Sequence, residues 1–249
     1  MAGPRPMLTN GVGQSQGIWD VRTSPEVAVG TRGSLPDGRV FYYARNSGVA
    51  LVAGNLVQSE APATQMDDLV TDTHAAGSTS VNVTPITGVT YDANDFAEGY
   101  LHEQSATAAG AGPLYKIKSH AAVSDATEFT VNLYDPLLVA FSAAAKSTLS
   151  KNPWQDTVIM GANGTDLCVG VVNNVVPAGS TTKQYYWAQT WGVTCVAADS
   201  ASAVGDALMR ATGTAGQTLI AVAGDQVIGV AYTLGVDGAW CQAFLQIAP

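Results

Sequence analysis

Along much of this chain apolar and polar residues alternate one for one. Tyr115, Ile117 and Ser119 stand against Lys116 and Lys118, and Phe129, Val131 and Leu133 against Thr130 and Asn132. A period of two belongs to an extended strand, whose successive side chains point to opposite faces. Each of these segments is therefore expected to bury one face. Further strand signals fall at residues 39–43, 80–84, 99–103, 114–119, 128–134, 158–161 and 169–173. They continue at 184–190, 193–198, 207–211, 218–222, 226–232 and 240–247, as short runs rich in β-branched and aromatic residues between turn formers.

Helical periodicity is scarce. Only 63–73 and 136–148 qualify, both short, the second rich in Ala and Ser. The pattern predicts a mainly β fold, built as β-sandwich or β-barrel units with an extended N-terminal arm and at most short helices. Residues 1–46 form that expected arm, because Pro4, Pro6, Pro25, Pro36 and several glycines interrupt any apolar face that could fold alone. Within it, Leu35-Pro-Asp-Gly38 is a turn signal leading into the strand at 39–43. Asn152-Pro-Trp154 breaks the chain, so two β-rich domains are expected, at 47–154 and 155–249. Leu51-Val-Ala-Gly-Asn-Leu56 is echoed by Ala203-Val-Gly-Asp-Ala-Leu208 and, more loosely, by Val222-Ala-Gly-Asp225. Their unequal intervals mark reused β-turns rather than a repeat.

Composition changes the picture from fold to partner. Hydrophobic residues make up 47% of the 249 and charged residues only 12%, about half the usual charged share. A solitary monomer covers itself with charge, whereas Thr, Ser, Asn, Gln, Gly and Ala suit surfaces that neighbours cover. The net charge of −9 opposes binding to a phosphate backbone, so no nucleic-acid partner is expected. No apolar run approaches a membrane-spanning length and no secretory signal opens the chain, so no membrane partner is expected and synthesis is placed in a cytoplasm. Cys168, Cys195 and Cys241 are odd in number and lack metal-type spacing. They read as free thiols, with one internal pair left open.

Candidate chemistry is thin. There is no phosphate-binding Gly-Lys-Ser/Thr loop, and His102-Glu103 lacks the second histidine of a zinc-protease helix. A Ser, His, Asp triad assembled by folding stays open. The acidic run from Asp92 to Glu98 lacks the spacing and mid-loop glycine of a calcium loop, which leaves turn or capping roles for Asp92 and Asp95. Aromatics at Tyr185-Tyr-Trp187 with Trp191, and at Phe41-Tyr-Tyr43, offer a carbohydrate platform or core and interface anchors. The expectation is a non-enzyme with no cofactor and no metal.

Several segments carry a resemblance: Pro-Asp-Gly-Arg-Val-Phe-Tyr-Tyr-Ala-Arg-Asn at 36–46, Gly-x-x-Leu-x-x-Gly-Asn-Leu-Val at 48–57, and Glu-Gly-Tyr-Leu at 98–101. With them go Tyr-Lys-Ile-Lys at 115–118, Asn-Leu-Tyr-Asp-Pro-Leu at 132–137, Tyr-Trp-Ala-Gln-Thr-Trp-Gly at 186–192 and Ala-Val-Gly-Asp at 203–206. Together they resemble virion structural proteins of tailed bacteriophages. The resemblance implies a capsid decoration (cement) protein on the outside of the shell, bound to the major capsid protein and to copies of itself as a trimer or other small oligomer. The acidic charge agrees, because it favours the outside of a shell packed with DNA. A major shell protein fits less well, because no long spine helix is present.

In that reading the arm crosses to a neighbour and orders on contact. Val21, Val40, Phe41 and Tyr43 are its expected apolar anchors, with Tyr186 and Trp187 as further interface candidates. The alternatives are a tail-tube or other self-assembling virion component, and a polysaccharide-binding or -degrading surface protein using the Tyr186 and Trp187 region.

Overall fold

The structure, a computed structural model, describes residues 16–61, 66–86, 88–104, 112–124, 127–143, 146–162, 167–179, 182–222, 224 and 226–249. Among them there is no α-helix, and the fold is mainly β as the alternation predicts. The chain forms two compact units, Met1–Glu60 with Pro153–Pro249, and Ala61–Asn152 inserted between them in sequence. The inserted unit ends at Asn152, and residues 155–249 belong with residues 1–60 to the other. The expected boundary after residue 46 does not appear, because strands on both sides of it join a single sheet.

In the first unit that sheet has ten strands. Its members are β1 (Arg32–Ser34), β2 (Val40–Arg45), β3 (Leu56–Gln58), β10 (Val158–Ile159), β11 (Cys168–Val172), β12 (Tyr185–Ala197), β13 (Ala207–Arg210), β14 (Thr218–Ile220), β15 (Gly229–Ala231) and β16 (Trp240–Gln246). The main path runs β10-β3-β11-β12-β16-β15-β13-β14, and β2 with β1 branches from β12. β12 carries the sheet, pairing with β2 and β11 through its first half and with β16 through its second. The sequence reads it as two strands. It is one, bulged after Gln189 and bent at Gly192, whose φ of +85° suits a residue without a Cβ.

The described part of the expected arm is built into this sheet. β2 and β12 are covered on both sides: Ala44, Tyr186 and Ala188 pack into one cluster with Val57 and Val169, while Phe41, Tyr43 and Trp187 pack into another with Ile18 and Leu35. Ile18, Val27 and Leu35 thus cover the face of β2 and β12 that carries Phe41, Tyr43 and Trp187. The Tyr43 hydroxyl ties this together, donating to Gln16 Oε1 at 2.7 Å and accepting from the Glu26 amide at 3.2 Å. Residues 1–15 of the arm lie outside the described residues.

The second unit is a closed six-stranded barrel of β4 (Leu69–Thr71), β5 (Ser80–Thr84), β6 (Tyr100–Glu103), β7 (Leu114–His120), β8 (Phe129–Leu133) and β9 (Lys146–Ser150), in the order β4-β5-β8-β7-β6-β9. Closure removes the unpaired edges that would template aggregation. Val81 faces Val131 and Val83 faces Phe129 across β5 and β8, with alternate residues buried as expected. In β7 a bulge between Ile117 and Ser119 shifts the alternation, so His120 is buried where the sequence points to Ser119. Among the described residues neither expected helix is an α-helix. β4 occupies the end of 63–73 and β9 the end of 136–148, where buried Ser147 and Leu149 alternate with half-buried neighbours. Residues 62–65 and 144–145 lie outside the described set.

Candidate functional site

The anchors expected from sequence are placed in the interior. Val40, Phe41, Tyr43, Tyr186 and Trp187 are all buried within the chain, and Val21 is half-buried against the cluster around Tyr186. Tyr43 and Trp187 face each other across β2 and β12 with ring centroids 4.9 Å apart. Burial pushes the Tyr43 hydroxyl up to about 12 and raises that of Tyr186, whose oxygen shares a 2.8 Å hydrogen bond with Thr157. These residues form core, and the correction has a plain cause: Ile18, Val27 and Leu35 cover Phe41, Tyr43 and Trp187, while Val57, Val169 and their neighbours cover Tyr186 on the other face.

Among the described residues no group of three His, Cys, Asp or Glu side chains is placed to hold a metal ion. His74 accepts the Asn82 amide at Nε2, 2.9 Å away. His120 is buried beside Phe96, accepting that residue's amide at Nε2 (2.9 Å), with Nδ1 2.6 Å from the Ala121 carbonyl oxygen. Its desolvation lowers its pKa below 6.5, so it is a neutral strut. The run from Asp92 to Gly99 is a series of turns, with Asn94 and Glu98 at positive φ. Asn94 Oδ1 accepts the His120 amide, and Glu98 pairs with Lys116 at 2.6 Å. These contacts give the segment a turn role.

What the first unit does present is exposed apolar surface at one end of β13–β15. Gly205 donates to the Ala231 carbonyl, Ala221 to that of Ala207, and Ser202 and Gly235 bridge each other. These bonds bring three connecting segments to the same end of the strands. Val204 (64% exposed), Val222, Tyr232, Leu234 (68%) and Val236 all project there into solvent. From Ala211 to Pro249 the only charged residues are Asp225 and Asp237. The turn echo noted in the sequence positions part of this surface. Gly54 and Gly205 both have positive φ, and each is followed by a residue whose amide closes the turn, Asn55 on Val52 and Asp206 on Ala203, both at 3.2 Å. The sequence signal for this surface is the scarcity of charge over residues 211–249, which carry no aromatic cluster.

A second feature is a groove of about 370 Å³ on the first unit, lined among others by Trp19, Arg39, Asn173, Cys195, Trp240 and Gln242. Trp19 and Trp240 are 44% and 53% exposed. Comparison with protein-family models, curated proteins and solved structures finds no match for the chain.

Proposed function

We propose that this protein is a structural virion component that binds the outer surface of a tailed-bacteriophage capsid and stabilises the shell through contacts with shell subunits and with copies of itself. The observation that carries the reading is the apolar end of β13–β15. Five large apolar side chains project from adjoining segments, four of them within residues 211–249, where Asp225 and Asp237 are the only charged residues. Contiguous exposed apolar surface marks a contact site, and the acidic remainder favours the DNA-free side of a shell. The resemblance of 36–46, 48–57, 132–137, 186–192 and 203–206 to tailed-phage virion proteins supplies the kind of assembly.

The action is binding alone, with no bond made or broken. A ligand that binds only the mature lattice shifts the shell away from disassembly by mass action. The virion exterior is then the working location, after synthesis in the host cytoplasm. The test is co-sedimentation of the purified chain with undecorated, expanded capsids of its phage. The wild type is expected to pellet with the shells, and Leu234→Asp and Val236→Asp to stay in the supernatant while keeping the wild-type unfolding midpoint. Wild-type protein that stays in solution would overturn the reading.

A further inference from the structure

We propose that the groove between Trp19 and Trp240 is a binding site for a neutral oligosaccharide. Both indoles are exposed, the Trp240 ring seated on Gly54 and the Trp19 backbone fixed in a turn. Trp19 sits in a turn closed by the Asp20 amide on the Gly17 carbonyl (3.0 Å) and by the Gly17 amide on Asp20 Oδ2 (3.1 Å). Its neighbour Ile18 is buried, and its own carbonyl accepts from Asn174 Nδ2 at 2.5 Å. Trp240 begins β16 and lies against the Gly54 backbone. A ring fixed before binding loses little conformational freedom when a ligand stacks on it. Indoles suit a ligand with apolar faces and polar edges, and the C–H faces and hydroxyl rims of a pyranose supply both.

The polar groups fit the same chemistry. The floor is a neutral amide and hydroxyl network: Asn173 Nδ2 donates to Gln189 Oε1 (2.7 Å), Gln189 Nε2 to the Trp191 and Val193 carbonyls (3.1 and 3.0 Å), and Thr194 Oγ1 to Asn173 Oδ1 (2.8 Å). Gln242 is exposed at the groove, and its side-chain amide has no hydrogen-bond partner among the described residues. The lining's one charged residue, Arg39, is already paired with Asp37 at 2.8 Å. A groove with amides, indoles and a neutralised cation, on a chain of net charge −9, selects an uncharged ligand. Its volume of about 370 Å³ falls within the ~300–1,000 Å³ of small-ligand sites. The carbohydrate platform weighed in the sequence at Tyr185–Trp187 thus moves to two tryptophans that no aromatic cluster flagged. The inference is independent of the virion reading, and either can fail alone.

The test begins with the full chain on an array of neutral oligosaccharides, including gluco-, manno- and chito-oligomers. The best binder is then titrated by tryptophan fluorescence and calorimetry. Saturable binding is expected, weakened about tenfold or more by Trp19→Ala and by Trp240→Ala, weakened less by Trp240→Phe and Gln242→Ala, and unchanged by Leu138→Ser in the other unit. The bound sugar should also slow alkylation of Cys195, which lines the groove. Gln242→Ala leaves the packing intact and keeps the test valid if an alanine variant misfolds. Absence of binding to every neutral glycan, binding indifferent to these substitutions, or occupation of the groove by a protein side chain in an assembled particle would overturn the proposal.

Discussion

The indole of Trp240 packs so closely on the backbone of Gly54 that a Cβ added to Gly54 would come within 1.8 Å of the ring. Gly54 also has a φ of +77°, which side chains rarely adopt. The glycine of the 51–56 turn is thereby tied to the strand that begins at Trp240, and one wall of the groove depends on a missing side chain. Gly54→Ala is expected to cost about 2 kcal/mol and to move Trp240 off its seat. Urea unfolding reads the first effect and altered tryptophan emission of the native state the second. A variant with wild-type stability and emission would contradict this.

Asp156 is buried, 1% exposed, with φ +55°. Its Oδ1 accepts from Arg45 Nε and Nη2 at 3.0 and 2.8 Å and from Lys183 Nζ at 2.7 Å. The carboxylate pins the end of β2 to the approach of β12. Removing it leaves a guanidinium in a largely dry site, so Asp156→Ala is expected to lower stability by about 3 kcal/mol. Chemical denaturation checks the loss, and a change below about 1 kcal/mol would show that water screens the pair.

How far the sequence discloses this molecule depends on what decides each element. Where one face meets a core and the other meets water, as in β5 and β8, alternation alone gives the strand and its inward residues. Where a segment is covered on both sides, alternation says nothing of direction. Phe41 and Trp187 therefore read as anchors for a neighbour when the covering layer is residues 16–35 of the same chain. The failed helices have another cause. Ala and Ser in 136–148 allow a helix locally, but pairing of β9 with β4 and β6 closes the barrel and overrides that preference. The nesting of one unit in the other went unread, because strand signals run on at the same short intervals through both units, although every tryptophan and cysteine lies outside residues 61–152 and every histidine inside. The groove was illegible too, since Trp19 and Trp240 stand 221 positions apart.

The three cysteines are free thiols in unequal settings. Cys168 is buried, which pushes its thiol up to about 12, and Cys241 is raised by burial and by the neighbouring Cys195. Cys195 is exposed. Treatment of the native protein with N-ethylmaleimide is expected to add one label, at Cys195, and treatment in urea to add three, read by intact mass and peptide mapping. Rapid native labelling of Cys168 or Cys241 would contradict the described packing.

Glu103 of β6 stands opposite Ser147 of β9, 3% exposed, and neither carboxylate oxygen has a hydrogen-bond partner among the described residues. Desolvation raises its pKa above the ordinary 4.5. The unfolded chain therefore gives up this proton first. The stability associated with the group is complete below pH 4.5 and declines as pH rises through the raised folded value. Glu103→Gln is expected to be more stable than wild type at pH 8, with the gap closing towards pH 4. A gap that does not change with pH would remove the buried acid from the account.

On the proposed reading, neighbours on a capsid cover the apolar end of β13–β15. Electron cryomicroscopy of intact phage particles carrying this chain tests it most directly. The expected map shows the protein on the outer shell, with Val204, Leu234 and Val236 buried against a shell subunit or another copy. Particles whose shells carry no such density, or carry it with those side chains still facing solvent, would contradict it.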